Sequence, residues 1–208
     1  MTFIKICGIT NLEDARAAVA AGADALGFNF YKPSPRYNTP EAAREIVEQL
    51  PDHVLMVGVF VSEPMKSVRS VANESGITAL QLHGDEPADY CRELARDYCV
   101  IKSLAVSDEF NVHRAQEYQV DAVMLDTRDT RLRGGTGRRF DWSIAQEVNK
   151  VVPKLFLAGG LSPENIEEAI KTVRPYAVDA CSALEDTPGK KNHERMDTFV
   201  KLARGVKP

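Results

Sequence analysis

FIKICGITNLEDARAAVAAGADALGFN, residues 3–29, holds a complete strand–helix–strand unit. Residues 3–7 (FIKIC) and 24–29 (DALGFN) are short apolar runs, the pattern of strands buried on both faces. Between them, residues 12–21 carry apolar positions at a period near 3.6, which predicts a helix. Asn11 stands where an N-cap belongs, and Gly22 follows the last turn, where a left-handed residue is wanted. A helix joining two neighbouring strands implies that the strands run parallel.

The unit recurs along the whole chain. Further strands are expected at 55–61, 78–82, 99–104, 121–126, 154–158 and 177–181. Helices are expected near 40–50, 64–75, 87–97, 108–118, 142–149, 163–173 and 193–204. Thr39 before Pro40 is a helix start, and Gly76 is a helix stop. Eight such units in 208 residues fit an α/β chain forming a single-domain (β/α)8 TIM barrel over 1–208, at the small end of its size range. An open doubly wound sheet is the competing arrangement. No Ser/Pro-rich linker divides the chain.

Hydrophobic residues make up 44% and charged residues 27%, enough of each for a globular domain with a sizeable core. A formal charge of −4 offers no global attraction for nucleic acid or an anionic membrane, so any anion must be caught locally. No apolar stretch is long enough to span a bilayer, and MTFIKICGIT lacks signal-peptide organisation. Neither a nucleic-acid nor a membrane partner is expected, and the location is expected to be cytoplasmic. Cys7, Cys91, Cys99 and Cys181 form no CxxC pair, which favours reduced thiols over a disulfide framework or a zinc site.

In a barrel of this kind the chemistry sits at the C-terminal ends of the strands. Those ends offer Cys7, the loop YKPSPRYN with Arg36, His83-Gly84, Asp126-Thr127, Gly159-Gly160 and Cys181-Ser182. A thiol and a carboxylate on different strands suit a base and an acid. Cys7 also reads as a small core residue, and Asp126 as a loop carboxylate or helix cap. His83 has no second histidine near it, so it reads as a positioning residue and no metal site is expected. Gly159 and Gly160 suit a phosphate site made of backbone N–H groups, with Pro163 opening the next helix; an ordinary turn is the alternative. The long loop after strand six carries Gly134, Gly135 and Gly137 among Arg128, Arg131, Arg133, Arg138 and Arg139. It suits a lid or a basic rim that steers an anion, or simply a solvated loop. Lys5, two residues before Cys7, faces the same side of its strand. It either lends positive potential to the thiol or pairs with a barrel carboxylate.

KICGIT (5–10), SPR (34–36), VGVF (57–60), QLHG (81–84), LDT (125–127), GGTG (134–137) with FDW (140–142), and AGGLSPEN (158–165) occur in this order. Together they resemble the phosphoribosylanthranilate isomerase family from near the first residue to at least Lys191. The resemblance implies a barrel without a cofactor, monomeric or homodimeric, acting on a small phosphorylated aminosugar. It implies an Amadori rearrangement of N-(5-phosphoribosyl)anthranilate to 1-(2-carboxyphenylamino)-1-deoxyribulose 5-phosphate in tryptophan biosynthesis. The residue matching Asp126 is then the general acid at the furanose oxygen, and the one matching Cys7 the general base at ribose carbon 2. Arg36 matches the residue holding the anthranilate carboxylate. His83, Gly159, Gly160, Asp179, Ser182 and Ala183 match the surrounding substrate-binding region.

One stretch departs from the family pattern. Asp179-Ala180-Cys181-Ser182-Ala183-Leu184-Glu185 stands where the family usually shows Asp-Val-Ser-Ser-Gly-Val-Glu. If that glycine has positive φ, Ala183 is strained by roughly 1 kcal/mol and the phosphate site is weakened. Asn192 likewise replaces a common Asp. Three competitors remain. The related histidine-pathway isomerase carries Asp where Cys7 stands. A pentose-phosphate epimerase needs metal-binding strand ends. A catalytically silent phosphate-binding barrel would fit the altered eighth loop.

Overall fold

The computed structural model describes residues 1–107, 110–127 and 141–206. Eight parallel strands close into a barrel: β1 (Phe3–Cys7), β2 (Ala25–Asn29), β3 (Leu55–Phe60), β4 (Ala79–Leu82), β5 (Cys99–Val106), β6 (Ala122–Thr127), β7 (Leu155–Leu157) and β8 (Ala177–Ala180). The open-sheet alternative is excluded by the β1–β8 pairing, which aligns Lys5 with Asp179 and Ile6 with Ala180. Helices α1 (Leu12–Ala21), α2 (Pro40–Val47), α3 (Met65–Ser75), α4 (Ala88–Leu94), α5 (His113–Gln116), α6 (Trp142–Asn149), α7 (Ile166–Val173) and α8 (His193–Gly205) follow in alternation. The expected caps are in place. Asn11 accepts from the Asp14 amide, Thr39 accepts from the Ala42 amide, and Gly22 closes α1 in the left-handed region.

Two helix boundaries slip for a local polar reason, and one element is added. Of the helix expected over 108–118, the described residues form only α5, because the Asn111 side chain accepts from the His113 amide and turns the chain first. α7 begins at Ile166 rather than Pro163. Asn165 accepts from the Ser162 amide and donates to the Gly160 carbonyl, making a turn of the intervening residues. A small hairpin, β9 (Glu185–Thr187) with β10 (Lys190–Lys191), was not expected, although Pro188-Gly189 between them is a readable turn signal.

Each strand is buried twice, which is why the strands read as continuous apolar runs. Ile4, Ile6, Leu26, Phe28, Leu80 and Leu82 face outward into a core shared with the helices. Ala25, Val57, Ala79, Ile101, Met124 and Phe156 fill the barrel itself. The floor of the barrel is aromatic, with Phe3 stacked on Tyr176 at 5.8 Å between ring centres. Above that apolar fill the inward positions turn polar: Lys5, Gln81, Ser103, Asp126 and Asp179 are all buried. Among the described residues no helix is long and apolar enough to cross a membrane.

Candidate active site

β1 places Lys5 and Cys7 on the inner wall, one above the other. Lys5 is fully buried and its Nζ lies 2.7 Å from Asp179 Oδ1, across the β1–β8 seam. Of the two readings open for Lys5, the ion pair is therefore realised. Proximity to the thiol is realised as well, since Cys7 and Lys5 crowd the same point beside Gly27 and each shifts the other's ionisation. A Cβ on Gly27 of β2 would stand 2.7 Å from Cys7 Sγ and 3.1 Å from Lys5 Nζ, so only glycine leaves room for both. Burial favours the neutral amine, but Asp179 and Cys7 outweigh it and keep Lys5 charged. The thiol of Cys7 is pulled down to about 7, first by a hydrogen bond from Cys181 and then by the Lys5 charge, against burial. It is a half-ionised nucleophile or base at neutral pH.

The opposite wall carries Asp126 at the end of β6 and His83 just past β4. His83 Nε2 lies 3.5 Å from Asp126 Oδ2. Asp126 Oδ1 accepts from the Thr127 amide at 2.7 Å. Burial pushes the Asp126 carboxyl above the usual carboxylate range, and Asp179 adds to this against the pull of His83. Burial likewise holds His83 below the ordinary imidazole value, so it is neutral. Gln81 Nε2 approaches His83 Nδ1 at 2.8 Å. With the amide donating there, the imidazole proton sits on Nε2, facing Asp126. Lys102 of β5 holds the His83 turn by donating to the carbonyls of Leu82 and Gly84 and to Glu86 at 2.6 Å. Glu86 in turn accepts from the amides of Ser62 and Gly84.

Arg36 reaches the same mouth from the loop after β2. Its Nε and Nη2 form a forked pair with Glu185, at 2.9 and 2.6 Å, and Lys191 binds the same carboxylate at 2.9 Å. Three guanidinium N–H groups remain for another anion. Gly159 adopts φ +83°, and a Cβ there would stand 2.8 Å from the Thr127 amide and 3.2 Å from Asp126 Oδ1. The glycine therefore lets the β7 turn lie directly against the Asp126 carboxylate. Gly159, Gly160, Ser182 and Ala183, with Asp126 and Asp179, line a pocket of about 40 Å³. The strain expected at Ala183 is not there. Among the described residues only Ser62 and Arg174 carry a positive φ without being glycine, and Ala183 sits in a 3-10 turn over Ser182–Leu184. Alanine is at ease in that conformation.

A larger hollow of about 560 Å³, lined among others by Ala95, Tyr118, Val120 and Pro153, lies at the other end of the barrel. It gathers the loops that enter β5, β6 and β7; its Tyr118 donates to the Glu86 carbonyl at 3.4 Å, and none of the strand-end residues above lines it. Cys7, Arg36, His83, Asp126, Gly159, Gly160, Asp179, Ser182 and Ala183 thus gather at one mouth. The glycine and arginine loop at 128–140 lies outside the described residues. Gln81, Glu86, Lys102, Asn165 and Lys191 are supporting residues that strand-end reasoning missed. The polar Gln81 and the charged Lys102, each within a largely apolar strand, were signals that could have found two of them.

The comparisons with known proteins agree with this geometry. The family model described as N-(5'phosphoribosyl)anthranilate (PRA) isomerase matches residues 4–202. An N-(5'-phosphoribosyl)anthranilate isomerase of Thermotoga neapolitana is 48% identical over 206 residues, covering 99% of this chain and all of the relative. The crystal structure of phosphoribosyl anthranilate isomerase from Thermotoga maritima superposes with a TM-score of 0.93 at 46% identity, covering 99% of this chain and all of that one. A further crystal structure holds such an enzyme in complex with reduced 1-(o-carboxyphenylamino)-1-deoxyribulose 5-phosphate, with TM-score 0.90, 45% identity and the same coverage. With a barrel closed at β1–β8, a thiol and a carboxylate facing across its mouth, and a match over nearly every residue, the chain belongs to the N-(5'-phosphoribosyl)anthranilate isomerase family.

Proposed function

We infer that this chain isomerises N-(5-phosphoribosyl)anthranilate to 1-(2-carboxyphenylamino)-1-deoxyribulose 5-phosphate, as a single-domain cytoplasmic enzyme of tryptophan biosynthesis. The observation that carries the reading is the pairing of a lowered thiol at Cys7 with a raised carboxyl at Asp126 across one strand-end mouth. The rearrangement needs those two states together. Asp126, protonated, delivers a proton to the furanose ring oxygen as the C1–O bond breaks, and the anilino nitrogen becomes a protonated Schiff base. That positive charge acidifies the proton on carbon 2, and the Cys7 thiolate removes it. The resulting enolamine tautomerises to the ketone. The electron sink is the substrate's own nitrogen.

Neutral His83, with its proton on Nε2, holds the Asp126 carboxyl in orientation. Arg36, fixed by Glu185, turns its remaining N–H groups to the anthranilate carboxylate. The phosphate sits against the glycine turn of Gly159 and Gly160 and the 3-10 turn at Ser182 and Ala183, which line one small pocket beside Asp126. Asp179 has a different task from these. A carboxylate repels phosphate, and its charge is spent on Lys5.

The test is the decay of anthranilate-type fluorescence on adding freshly generated phosphoribosylanthranilate to wild type, Cys7→Ala and Asp126→Ala. Rapid decay in wild type that is lost in both variants, with circular dichroism unchanged, is the expected result. No decay with folded wild-type protein sinks the assignment.

A further inference from the structure

We propose that Cys7 and Cys181 are a dithiol that a peroxide closes into a disulfide, a reversible modification site inside the catalytic mouth. Strands β1 and β8 run parallel with Lys5 opposite Asp179 and Ile6 opposite Ala180. One more residue in the same register sets Cys7 beside Cys181. Neighbouring strands lie about 4.8 Å apart, inside the span of roughly 4.4–6.8 Å that a disulfide requires between Cα atoms. Because side chains alternate, both thiols point the way Lys5 and Asp179 point, and those two already touch at 2.7 Å. A Cβ on Gly8, the residue after Cys7, would stand 2.8 Å from Cys181 Sγ, so that sulfur lies against the end of β1. Serine, usual in the family at position 181, could not make this link.

The charges around the pair favour one thiolate beside one thiol. Lys5 lies under Cys7, while Lys191 Nζ and Glu185 Oε1 each lie 3.9 Å from Cys181 Sγ. Cys7 takes the charge, and Cys181, raised by its pairing with Cys7 and by burial, keeps its proton. This is the arrangement of an attacking and a resolving cysteine. Cys7 thiolate attacks one peroxide oxygen, the O–O bond breaks, and hydroxide leaves, giving Cys7 sulfenic acid. Cys181 sulfur then attacks the Cys7 sulfur, the S–O bond breaks, and the released hydroxide takes the Cys181 proton to leave as water. Two thiols are oxidised by two electrons and one peroxide is reduced. The other two cysteines are poor competitors: burial pushes Cys91 up to about 11, and Cys99, though exposed, is raised by partial desolvation and the Asp121 charge. Closure removes the thiolate, so the loss of turnover rests on the proposed role of Cys7 as base; the closure itself does not.

The experiment treats the purified full chain with hydrogen peroxide near neutral pH, alkylates the remaining thiols, digests with trypsin and weighs the peptides. The expected product joins residues 6–16 to residues 172–190, lighter than their sum by two hydrogens, with turnover lost in proportion and regained with dithiothreitol. Cys181→Ser is expected to give no linked product and to carry Cys7 on to sulfinic acid. Its lost rate, taken relative to its own untreated rate, then stays lost. Sulfinic Cys7 in wild type without the linked peptide overturns the proposal. A linked peptide in a protein that never turned over the aminosugar upholds the dithiol and removes the isomerase reading instead.

Discussion

Two fully buried lysines stand on opposite walls of the barrel and do opposite things. On the β1–β8 wall, Lys5 pairs with Asp179 through one carboxylate oxygen at 2.7 Å and still faces Cys7. On the β4–β5 wall, Lys102 gives its three protons to Glu86, Leu82 and Gly84. The first ammonium has charge to spare for its neighbour, and the neighbour is a lowered thiol. The second is held to a turn, and the carboxyl beyond it, Asp126, is raised by its own burial. The same ion pair thus polarises a base where a donor is left over, and only braces an acid where none is.

The largest effects should come from the two reacting groups. Cys7→Ser and Asp126→Asn are each expected to lower kcat on the order of a hundredfold or more, measured by substrate fluorescence with folding checked separately. Equal survival of either variant would break the division into a base wall and an acid wall.

Next come the lysines. Lys5→Met leaves Asp179 buried without a partner, and a loss of about 3–5 kcal/mol in urea unfolding is expected. Lys5→Met with Asp179→Leu should regain most of that stability without regaining the base. Cys7 works as thiolate, so kcat/KM rises with pH through its value of about 7 in wild type. In the double variant that rising limb should move to higher pH. Lys102→Met with Glu86→Leu should leave the limb in place and lower kcat by loosening His83. A limb that moves equally in both double variants removes the contrast between the lysines.

A smaller effect concerns stability alone. The Asp126 carboxyl is raised in the folded state, so at neutral pH folding must bury its charge or take up a proton, and that cost fades as pH falls into the ordinary carboxylate range. Asp126→Asn should therefore raise Tm at neutral pH, with the gain shrinking in acid. Thermal melts at several pH values check the sign.

The smallest effect is expected at Asn192, the N-cap of α8, which accepts from the Arg195 amide and donates to Asp186 at 2.7 Å. Aspartate, the commoner family residue, would gain from the helix dipole and lose against Asp186. Asn192→Asp should stay within about 0.5 kcal/mol of wild type in urea unfolding.

Much of this molecule was legible in its residues. Period-3.6 segments between doubly buried runs, with Asn11, Thr39 and Gly22 at their ends, set the eight units, because caps and periodicity are local. The strand-end rule found Cys7, Asp126, His83 and Gly159 for the same reason: a residue's position on its own strand is enough to say which end of a barrel it occupies. Where local polar groups competed, as at Asn111 and Asn165, the boundaries slipped. Tertiary structure alone decided the partners. Lys5 could have met any inward carboxylate, and barrel closure chose Asp179, 174 positions further along the chain. Whether Ala183 was strained depended on a φ that neighbouring sequence does not dictate, and the 3-10 turn relieved it. Ionisation followed suit. A thiol near 7 and a raised carboxyl are products of burial and of neighbours distant in sequence, and those exist only once the chain has closed.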